Sequence, residues 1–387
     1  MSLPLEGVTV VSLEQAVAAP FATRQLADQG ARVIKVERPE VGDFARGYDE
    51  TVRGLASHFV WLNRSKESVA LDLKSDYGRE AVLAMVREAD VFVQNLAPGA
   101  AERLGFGREA LQEINPGLIH VSISGYGEGG PYSSKKAYDL LVQCEAGLVS
   151  ITGTPEEPSK VGISIADIAS GMYAYSGILS ALLQRHRTGV GEVIEVSMLE
   201  ALAEWMGFPY NYTYYGGVQP PRTGARHAAI APYGPFQCGD GRQVFLGLQN
   251  EREWATFCSE ILGEPSLATD ERFSRNSLRV EHADALRDEI ERGFAASTVE
   301  EVADKLESVG IANALLRSLH ELAEHPQLEA RGRWRDYDSP AGTLRALIPP
   351  ATFRGAQPVM GAVPEVGQHT ESVLAEFGVV REQASAK

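Results

Sequence analysis

The chain has 387 residues, of which 44% are hydrophobic, and its 36 basic and 52 acidic side chains give a formal net charge of -16. This length can bury an ample core without disulfide staples, and the three dispersed cysteines lack CxxC spacing, which indicates reduced, buried thiols rather than a zinc site. The acidic balance argues against a nucleic-acid partner, because a polyanion must be met by a basic surface.

The sequence also argues against a membrane protein. Its amino terminus, MSLPLEGVTVVSLEQ, lacks a basic region followed by an apolar segment. No run elsewhere approaches the ~18 apolar residues of a membrane span. We therefore expect a cytoplasmic protein without a membrane partner. A local basic pocket could still hold an anionic ligand on this acidic chain.

The first third of the chain alternates strand-like and helix-like segments. Apolar, β-branched runs at Val8–Leu13 and Arg32–Glu37 flank a helical segment at Pro20–Gln29, which Gly30 ends. The pattern continues with a strand at Ser68–Leu73 and a helix at Asp76–Ala89. Two further strands follow at Val91–Asn95 and Leu118–Ser124. Strands that alternate with helices predict an α/β fold with a parallel sheet covered on both faces.

A long helix is predicted at Ser164–Arg187, with basic residues in its last turn and Gly189 after its end, as the helix dipole favours. A strand at Glu192–Met198 and a helix at Leu199–Met206 follow. Near residue 209 the composition changes to PYNYTYYGGVQPPRTG, which has no helical period and is typical of a segment that crosses between domains.

The remaining elements predict a second, smaller domain of α+β type. Short strands at Tyr233–Gln237 and Gln243–Leu248 precede charged helices, and a late helix is predicted at Glu371–Phe377. We therefore expect a large domain over residues 1–208, a linker and small domain over 209–329, and a C-terminal segment over 330–387.

Common catalytic motifs are missing from the sequence. The turn after the first strand, LEQAVAAP, has no glycine for a dinucleotide pyrophosphate, so Glu37 is interpreted as a structural residue at the end of a strand. The eight histidines are dispersed, and neither a phosphate-binding GKS/GKT loop, an HExxH helix nor a GxSxG elbow occurs. A metal site is therefore not expected.

Asp167 is the one charged residue in the segment VGISIADIASGMYAYSG. With Ser164 as N-cap, it completes an S-x-x-D capping box, where free N–H groups and the helix dipole stabilise its charge. The residues alone favour this capping interpretation. The alternative is a nucleophile that stays ionised, with small neighbours leaving room for a substrate: Ala166, Ala169, Ser170 and Gly171.

Several longer motifs together resemble one family. They are LEGVTVVSLEQ, Leu26–Arg46, Asn63–Lys74, Asp90–Gly99, Asn115–Pro131, Ala137–Gln143 and the Asp167 segment. Over nearly its whole length the chain resembles the family III CoA-transferases, also called the CaiB/BaiF family. The resemblance implies a Rossmann-like large domain built from both ends of the chain, and an interlocked, ring-like homodimer.

The resemblance also implies a covalent mechanism. Asp167 would attack a donor thioester to form an acyl-aspartyl anhydride, and the released CoA thiolate would then form an aspartyl-CoA thioester that the acceptor acid opens. Residues that match catalytic positions of the family are Asp167, Gln15, Tyr138 and Asp139. No tightly bound cofactor is implied, because coenzyme A is itself a substrate.

Further positions match residues of the family that bind CoA: Arg38, Leu71, Lys74, Asn95, Arg103 and Lys136. Four of them are cationic and would supply the local basic pocket. GLQNEREW at Gly247–Trp254 replaces the glycine-rich loop of formyl-CoA transferase, which argues against formate and oxalate as substrates. It resembles members that act on short dicarboxylic acids such as succinate, malate, citramalate, mesaconate or itaconate.

Arg226 and His227 are candidates for holding the distal carboxylate of such an acid, and Asn250 lies in the later substrate loop. A related alternative is a 2-methylacyl-CoA racemase, which needs a base on each side of an α-carbon. The racemase positions correspond here to Tyr138, Asp139 and Asn250, which favours a transferase. A non-catalytic CoA-binding protein, in which Asp167 only caps its helix, is the third hypothesis.

Overall fold

The computed structural model of the protein describes residues 2–379, which form two compact units. Within the described residues, unit 1 comprises 2–146, 161–207 and 327–379, and unit 2 comprises Gly147–Lys160 and Phe208–Pro326. The C-terminal residues 380–387 of the predicted last segment lie outside the described residues. Each unit has its own core.

One segment does not follow the predicted domain boundaries. Gly147–Lys160 were predicted to belong to the large domain, whereas they belong to unit 2. Hydrogen bonds hold them there: the Arg222 guanidinium donates to the carbonyls of Thr154 and Pro155, each at 2.8 Å, and a backbone bond of 2.8 Å joins Gly224 N to Gly153 O.

The strands of the described residues are β1 (Thr9–Leu13), β2 (Arg32–Glu37), β3 (Lys66–Ala70), β4 (Val91–Gln94), β5 (Ile119–Ser124), β6 (Val193–Ser197), β7 (Tyr233–Gln237), β8 (Gln243–Gly247), β9 (Asn313–Leu315), β10 (Trp334–Tyr337) and β11 (Leu344–Leu347). In unit 1, the first six form one parallel sheet in the order β3-β2-β1-β4-β5-β6. The predicted parallel α/β sheet is thus confirmed.

The register of this sheet places valines of three strands side by side. Val10 of β1 pairs with Val33 on one side and with Val91 on the other, and all three are buried. Strand order reverses between β1 and β4, which makes their carboxyl ends the crevice where open α/β sheets bind ligands. Gln15 and Asn95 follow these two strands.

The α-helices of the described residues are α1 (Ala18–Asp28), α2 (Ser57–Asn63), α3 (Asp76–Glu88), α4 (Ala100–Arg103), α5 (Arg108–Ile114), α6 (Asp139–Glu145), α7 (Leu148–Ile151), α8 (Ile165–Thr188), α9 (Met198–Trp205), α10 (Gly207–Gly216), α11 (Glu251–Thr256), α12 (Asn276–Glu281), α13 (Ala283–Phe294), α14 (Val299–Ser308), α15 (Leu319–Ala323), α16 (Pro326–Ala330) and α17 (Thr370–Glu376). In this part of the chain, none is both long and apolar enough to cross a bilayer.

One predicted irregular segment is helical instead. α10 begins at Gly207, two residues before the Gly-, Pro- and Tyr-rich stretch, and continues into it as far as Gly216. Pro209 falls in its first turn, where a missing N–H costs little. The Tyr210 and Tyr214 rings stack four residues apart with centroids at 5.5 Å, a spacing that stabilises helices. The composition of this stretch therefore predicted an irregular segment where the structure has a helix.

The small residues on both sides of Asp167 are buried in the structure. Ala166, Ala169, Ser170 and Gly171 are all buried on α8. A β-carbon at Gly171 would meet the Ala18 carbonyl oxygen of α1 at 2.6 Å. Gly171 therefore lets α1 and α8 approach closely, and at this position the expectation of room for a substrate is wrong.

The C-terminal part of unit 1 covers the edge strand β3. The backbone N–H of Ala70 donates to Thr370 Oγ1 at 2.9 Å, and His369 N donates to Ser68 O at 2.9 Å. Glu37, at the end of β2, accepts hydrogen bonds from Arg46 and Ser68, which supports its structural interpretation.

Unit 2 contains the antiparallel sheet β7-β8-β9, packed on a core that includes Trp254, Phe257 and Phe273. All three cysteines are free. Cys238 and Cys258 are buried, as expected for small apolar residues, whereas Cys144 is exposed, against the expectation.

Candidate active site

The turn after β1 is fixed by side chains from two other segments. Asn95 accepts a hydrogen bond from Gln15 N and donates one to Gln15 O, both at 2.8 Å. The next residue, Ala16, has a positive φ of 62°, and its N–H donates to Asp43 Oδ1 at 3.1 Å. A left-handed residue other than glycine is strained. The side chain of Asn95, predicted to bind CoA, is therefore engaged in holding the Gln15 turn.

A buried charge cluster lies beneath this turn. Lys35 Nζ contacts Asp43 Oδ2 at 2.8 Å and Glu14 Oε1 at 3.4 Å, and Lys66 Nζ contacts Glu14 Oε1 at 2.6 Å. Burial lowers the pKa of Lys66 to about 8, although Glu14 opposes this shift. Removing one partner of such a group leaves a buried charge uncompensated, so the cluster holds Asp43 in place.

Asp167 lies in the first turn of α8, as predicted, but the predicted capping box does not form. Ser164 is the N-cap residue, yet its side chain makes no capping hydrogen bond, because its backbone (φ −77°, ψ 70°) is not in the extended region that capping requires. The carboxylate of Asp139 takes this role. Its Oδ1 accepts from Ala166 N at 2.8 Å and from Asp167 N at 3.3 Å.

The charge on Asp167 is disfavoured rather than stabilised. Burial, and then the neighbouring charge of Asp139, raise the pKa of Asp167 to about 7, and no hydrogen bond from a described residue lowers it. The helix start therefore does not keep this group fully ionised as expected, because burial and the charge of Asp139 disfavour the charged form. A carboxyl group that titrates near neutrality is a mark of functional sites.

Two tyrosines lie near this carboxyl group. Burial, and then the charges of Asp43 and Asp167 with a smaller effect of Tyr138, raise the pKa of Tyr48 to about 12. Tyr48 therefore remains a neutral phenol at physiological pH. Tyr138 was predicted as a site residue and Tyr48 was not, although both side chains are exposed. The only signal was the position of Tyr48, two residues after the Leu26–Arg46 motif.

The four predicted CoA-binding cations share one location in the topology. Arg38 follows β2, Lys74 follows β3, Arg103 lies on α4 after β4, and Lys136 follows β5. Because the strands are parallel, all four come from segments at the carboxyl edge of the sheet. Within residues 2–379, no salt bridge joins them to a carboxylate. They are therefore available to an anion.

Leu71 is buried and lines a cavity of about 1330 Å³ in unit 1. The charged side chains of this cavity are mostly acidic: Glu40, Asp72, Asp76, Glu80 and Glu371, with Arg87. An acidic lining does not suit a phosphate. The cavity by itself therefore does not form the predicted basic pocket.

The three predicted substrate residues lie in unit 2, where each side chain has a local partner. Arg226 Nη1 contacts Asp284 Oδ1 at 3.1 Å. The His227 ring stacks on Tyr233 with centroids at 5.4 Å. Asn250 caps α11, since its Oδ1 accepts from Glu253 N at 2.9 Å. A substrate would compete with these contacts.

Comparisons with known proteins agree on one family. A family model for CoA-transferase family III matches residues 5–370. An acetyl-CoA:oxalate CoA-transferase of Acetobacter aceti is 37% identical over 330 residues, covering 85% of this chain and 84% of that protein. A succinate–glutarate CoA-transferase of Agrobacterium fabrum is 33% identical over 393 residues, covering 99% of this chain and 98% of that protein.

The fold also matches a solved structure of a CaiB/BaiF family protein from Brucella suis. The TM-score is 0.85 at 33% identity, and the match covers 97% of this chain and 100% of the other. The oxalate enzyme among the relatives means that the loop at Gly247–Trp254 is not enough to argue against oxalate. Mesaconate, citramalate and itaconate occur in none of these three names.

Proposed function

The chain belongs to CoA-transferase family III, and on that basis we propose that it moves CoA from an acyl-CoA thioester to a short dicarboxylic acid, with Asp167 as the covalent nucleophile. The environment of Asp167 is the observation that carries this proposal. Its carboxyl group is partly buried and has a pKa raised to about 7 by burial and by Asp139. A weakly solvated carboxylate is more nucleophilic than a hydrated one.

The proposed reaction proceeds through four displacements at acyl carbons. An Asp167 oxygen attacks the thioester carbon, the C–S bond breaks, and CoA leaves as thiolate from an acyl-aspartyl anhydride. The thiolate attacks Asp167 Cγ and expels the donor carboxylate, leaving an aspartyl-CoA thioester. The acceptor carboxylate then attacks Cγ and releases the thiolate, which attacks the acceptor carbonyl of the new anhydride and frees Asp167. Acyl activation is conserved throughout, so no other co-reactant is needed.

We propose succinyl-CoA as donor and a short dicarboxylate as acceptor. The names of the relatives, which include succinate, glutarate and oxalate, support this class. Glutarate and oxalate therefore join malate, citramalate, mesaconate and itaconate as acceptors to test. Arg226 and His227 supply the positive and hydrogen-bonding groups that a distal carboxylate needs.

The CoA phosphates are proposed to bind the cations at the carboxyl edge of the sheet: Arg38, Lys74, Arg103 and Lys136. Their lack of salt bridges within residues 2–379 supports this assignment, because a cation without a carboxylate partner is available to a phosphate. Leu71 and Asn95 would contribute by shape and by holding the Gln15 turn. Gln15, Tyr138 and Asp139 would surround the reacting carboxyl group.

The active form is proposed to be an interlocked homodimer. Apolar side chains exposed on α6 and α8 of unit 1 support an additional protein contact: Leu140, Leu141, Met172, Tyr173 and Leu183. Exposed apolar surface often marks a site of protein–protein contact. A monomeric mass in solution would contradict this part of the proposal.

The deciding experiment traps the intermediate. The protein is incubated with succinyl-CoA and hydroxylamine, and the peptide that contains Asp167 is examined by mass spectrometry for the aspartyl hydroxamate. Asp167→Asn should abolish both the adduct and CoA transfer, whereas Asp76→Asn, in the first turn of α3, should leave both unchanged. α-Hydrogen exchange with deuterated water without CoA transfer would instead indicate a racemase.

A further inference from the structure

Gln143 is a buried polar residue to which the proposed reaction assigns no role. It lies in the last turn of α6, within the AYDLLVQ motif, and its side chain has no exposed surface. Both the nitrogen and the oxygen of its side-chain amide form hydrogen bonds. Nε2 donates to Asp139 Oδ2 at 2.6 Å, and Oε1 accepts from Val161 N at 3.0 Å.

The two hydrogen-bond partners of Gln143 are connected to Asp167 through different parts of the chain. Asp139 lies four residues earlier on the same helix, and its other oxygen accepts from the N–H groups of Ala166 and Asp167. Val161 begins the segment that runs into α8. One side chain therefore ties together the carboxylate that caps α8 and the backbone that enters it.

This arrangement replaces the local cap that Ser164 does not provide. The first turn of α8 takes its cap from a residue 28 positions earlier in the chain than Asp167, so the cap is only as well oriented as Asp139 itself. Asp139 has two carboxylate oxygens, and Gln143 holds the one that does not face α8. Without that hydrogen bond, rotation of the carboxylate about its Cβ–Cγ bond would disturb the α8 contacts.

We propose that Gln143 is a positioning residue for CoA transfer: it orients the Asp139 carboxylate, which in turn holds the backbone of Asp167 at the start of α8. The inference rests on the proposed function, in which Asp167 is the nucleophile. Other groups that face this site are Tyr48, Tyr138 and Asp43. None of them is hydrogen-bonded to Gln143, so Gln143 acts on the site through Asp139 and through the backbone of Val161.

The test uses Gln143→Met, which keeps the volume and removes both hydrogen bonds, with Gln184→Met as the matched control. Gln184 also donates to a carboxylate, that of Glu192, but from the exposed end of α8. We expect Gln143→Met to lower kcat at least tenfold, with the KM for succinyl-CoA within twofold. The acidic midpoint of kcat/KM should also move, because the Asp139 carboxylate is then no longer held in its present position beside Asp167. The control should change none of these values.

A second variant covers the case in which Gln143→Met does not fold. Gln143→Glu is isosteric and can donate to Asp139 only while its new carboxyl group is protonated, so activity should fall on the alkaline side, where the wild type is active. The effect of Gln143→Met on the midpoint should also vanish in an Asp139→Asn background.

The inference is overturned if folded Gln143→Met keeps the wild-type kcat and midpoint and loses only thermal stability, which a purely structural role predicts. Retention of a wild-type pH profile by Gln143→Glu leads to the same conclusion. Failure of the proposed function looks different: Asp167→Asn then remains active, whatever the Gln143 variants do.

Discussion

Asp167→Asn should make the protein more stable at neutral pH while abolishing transfer. The substitution keeps the size of the side chain and removes a charge that the folded state disfavours. Burial and Asp139 raise the pKa of Asp167 from its ordinary 3.8 to about 7. Active-site residues often lower the stability of the folded protein, and a buried Asp167 carboxylate is expected to do so.

The magnitude follows from proton linkage. Between pH 4 and 7 the folded protein holds a proton on Asp167 that the unfolded chain has lost, so wild-type stability falls as the pH rises and levels off above pH 7. A shift of about three pKa units corresponds to roughly 4 kcal/mol. Because the side chain is only partly buried, we expect about 2–4 kcal/mol. For a chain of 387 residues, this range raises Tm by about 3–5 °C.

The assay is thermal unfolding of the wild type and of Asp167→Asn in buffers from pH 5 to pH 8.5. The Tm advantage of the variant should widen between pH 5 and 7 and stay constant above pH 8. The matched control is Asp76→Asn, because Asp76 also lies in the first turn of a long helix but is 92% exposed. Its Tm difference from the wild type should stay small over the whole range.

Two results would refute the reasoning. The first is an Asp167→Asn variant that is less stable than the wild type at pH 8, since the charge would then be stabilised by the fold. The second is a Tm difference that does not change with pH, because the raised pKa of Asp167 requires a pH-dependent difference.

Asp139→Asn removes the like charge beside the nucleophile, so the acidic midpoint of kcat/KM, expected near pH 7 in the wild type, should move to lower pH; an unchanged midpoint in the pH profile would contradict the coupling. Gly171→Ala places a β-carbon 2.6 Å from a backbone oxygen of α1 and should cost about 1–3 kcal/mol in denaturant unfolding. Gly207→Ala meets no atom within 4 Å and should not destabilise the protein; equal losses for the two variants would exclude packing as the cause. Arg226→Ala should raise the KM for the dicarboxylate acceptor but not for succinyl-CoA, whereas Asp284→Ala, which removes the present partner of Arg226, should not raise it. An unchanged acceptor KM in Arg226→Ala would show that this arginine does not hold the substrate.

The parallel sheet was predictable because its strands are local patterns. Apolar, β-branched runs such as those of β1 and β2 identify buried strands within a few residues, and Gly30 marks the turn between α1 and β2. The helix α10 was not predictable in the same way. Its Gly, Pro and Tyr residues have low helix propensity, and the stacking of Tyr210 on Tyr214 becomes visible only once the helix exists.

A site residue could be predicted where a single side chain performs the chemistry. The contacts of that side chain could not be predicted where they come from residues distant in the sequence. Asp167 stands out as a lone charge in an apolar segment. Its cap could not be found from local spacing, because Asp139 supplies it from 28 residues away in place of the nearby Ser164. Its raised pKa depends on the same residue and on burial, which no sequence window contains. Gly171 was misassigned for a related reason, since only packing distinguishes close helix contact from an open cavity.

The hydrogen bonds that cover β3 also determine when the fold can be completed during synthesis. Ala70 and its partner Thr370 are 300 residues apart, an interval that a ribosome takes about 15–60 s to translate at typical rates. Until then the edge of β3 is unpaired on every nascent chain, and neighbouring chains on one polysome present the same open edge to each other. The C-terminal segment therefore acts as a late safeguard against edge-to-edge aggregation, and expression of chains truncated before it should give insoluble product.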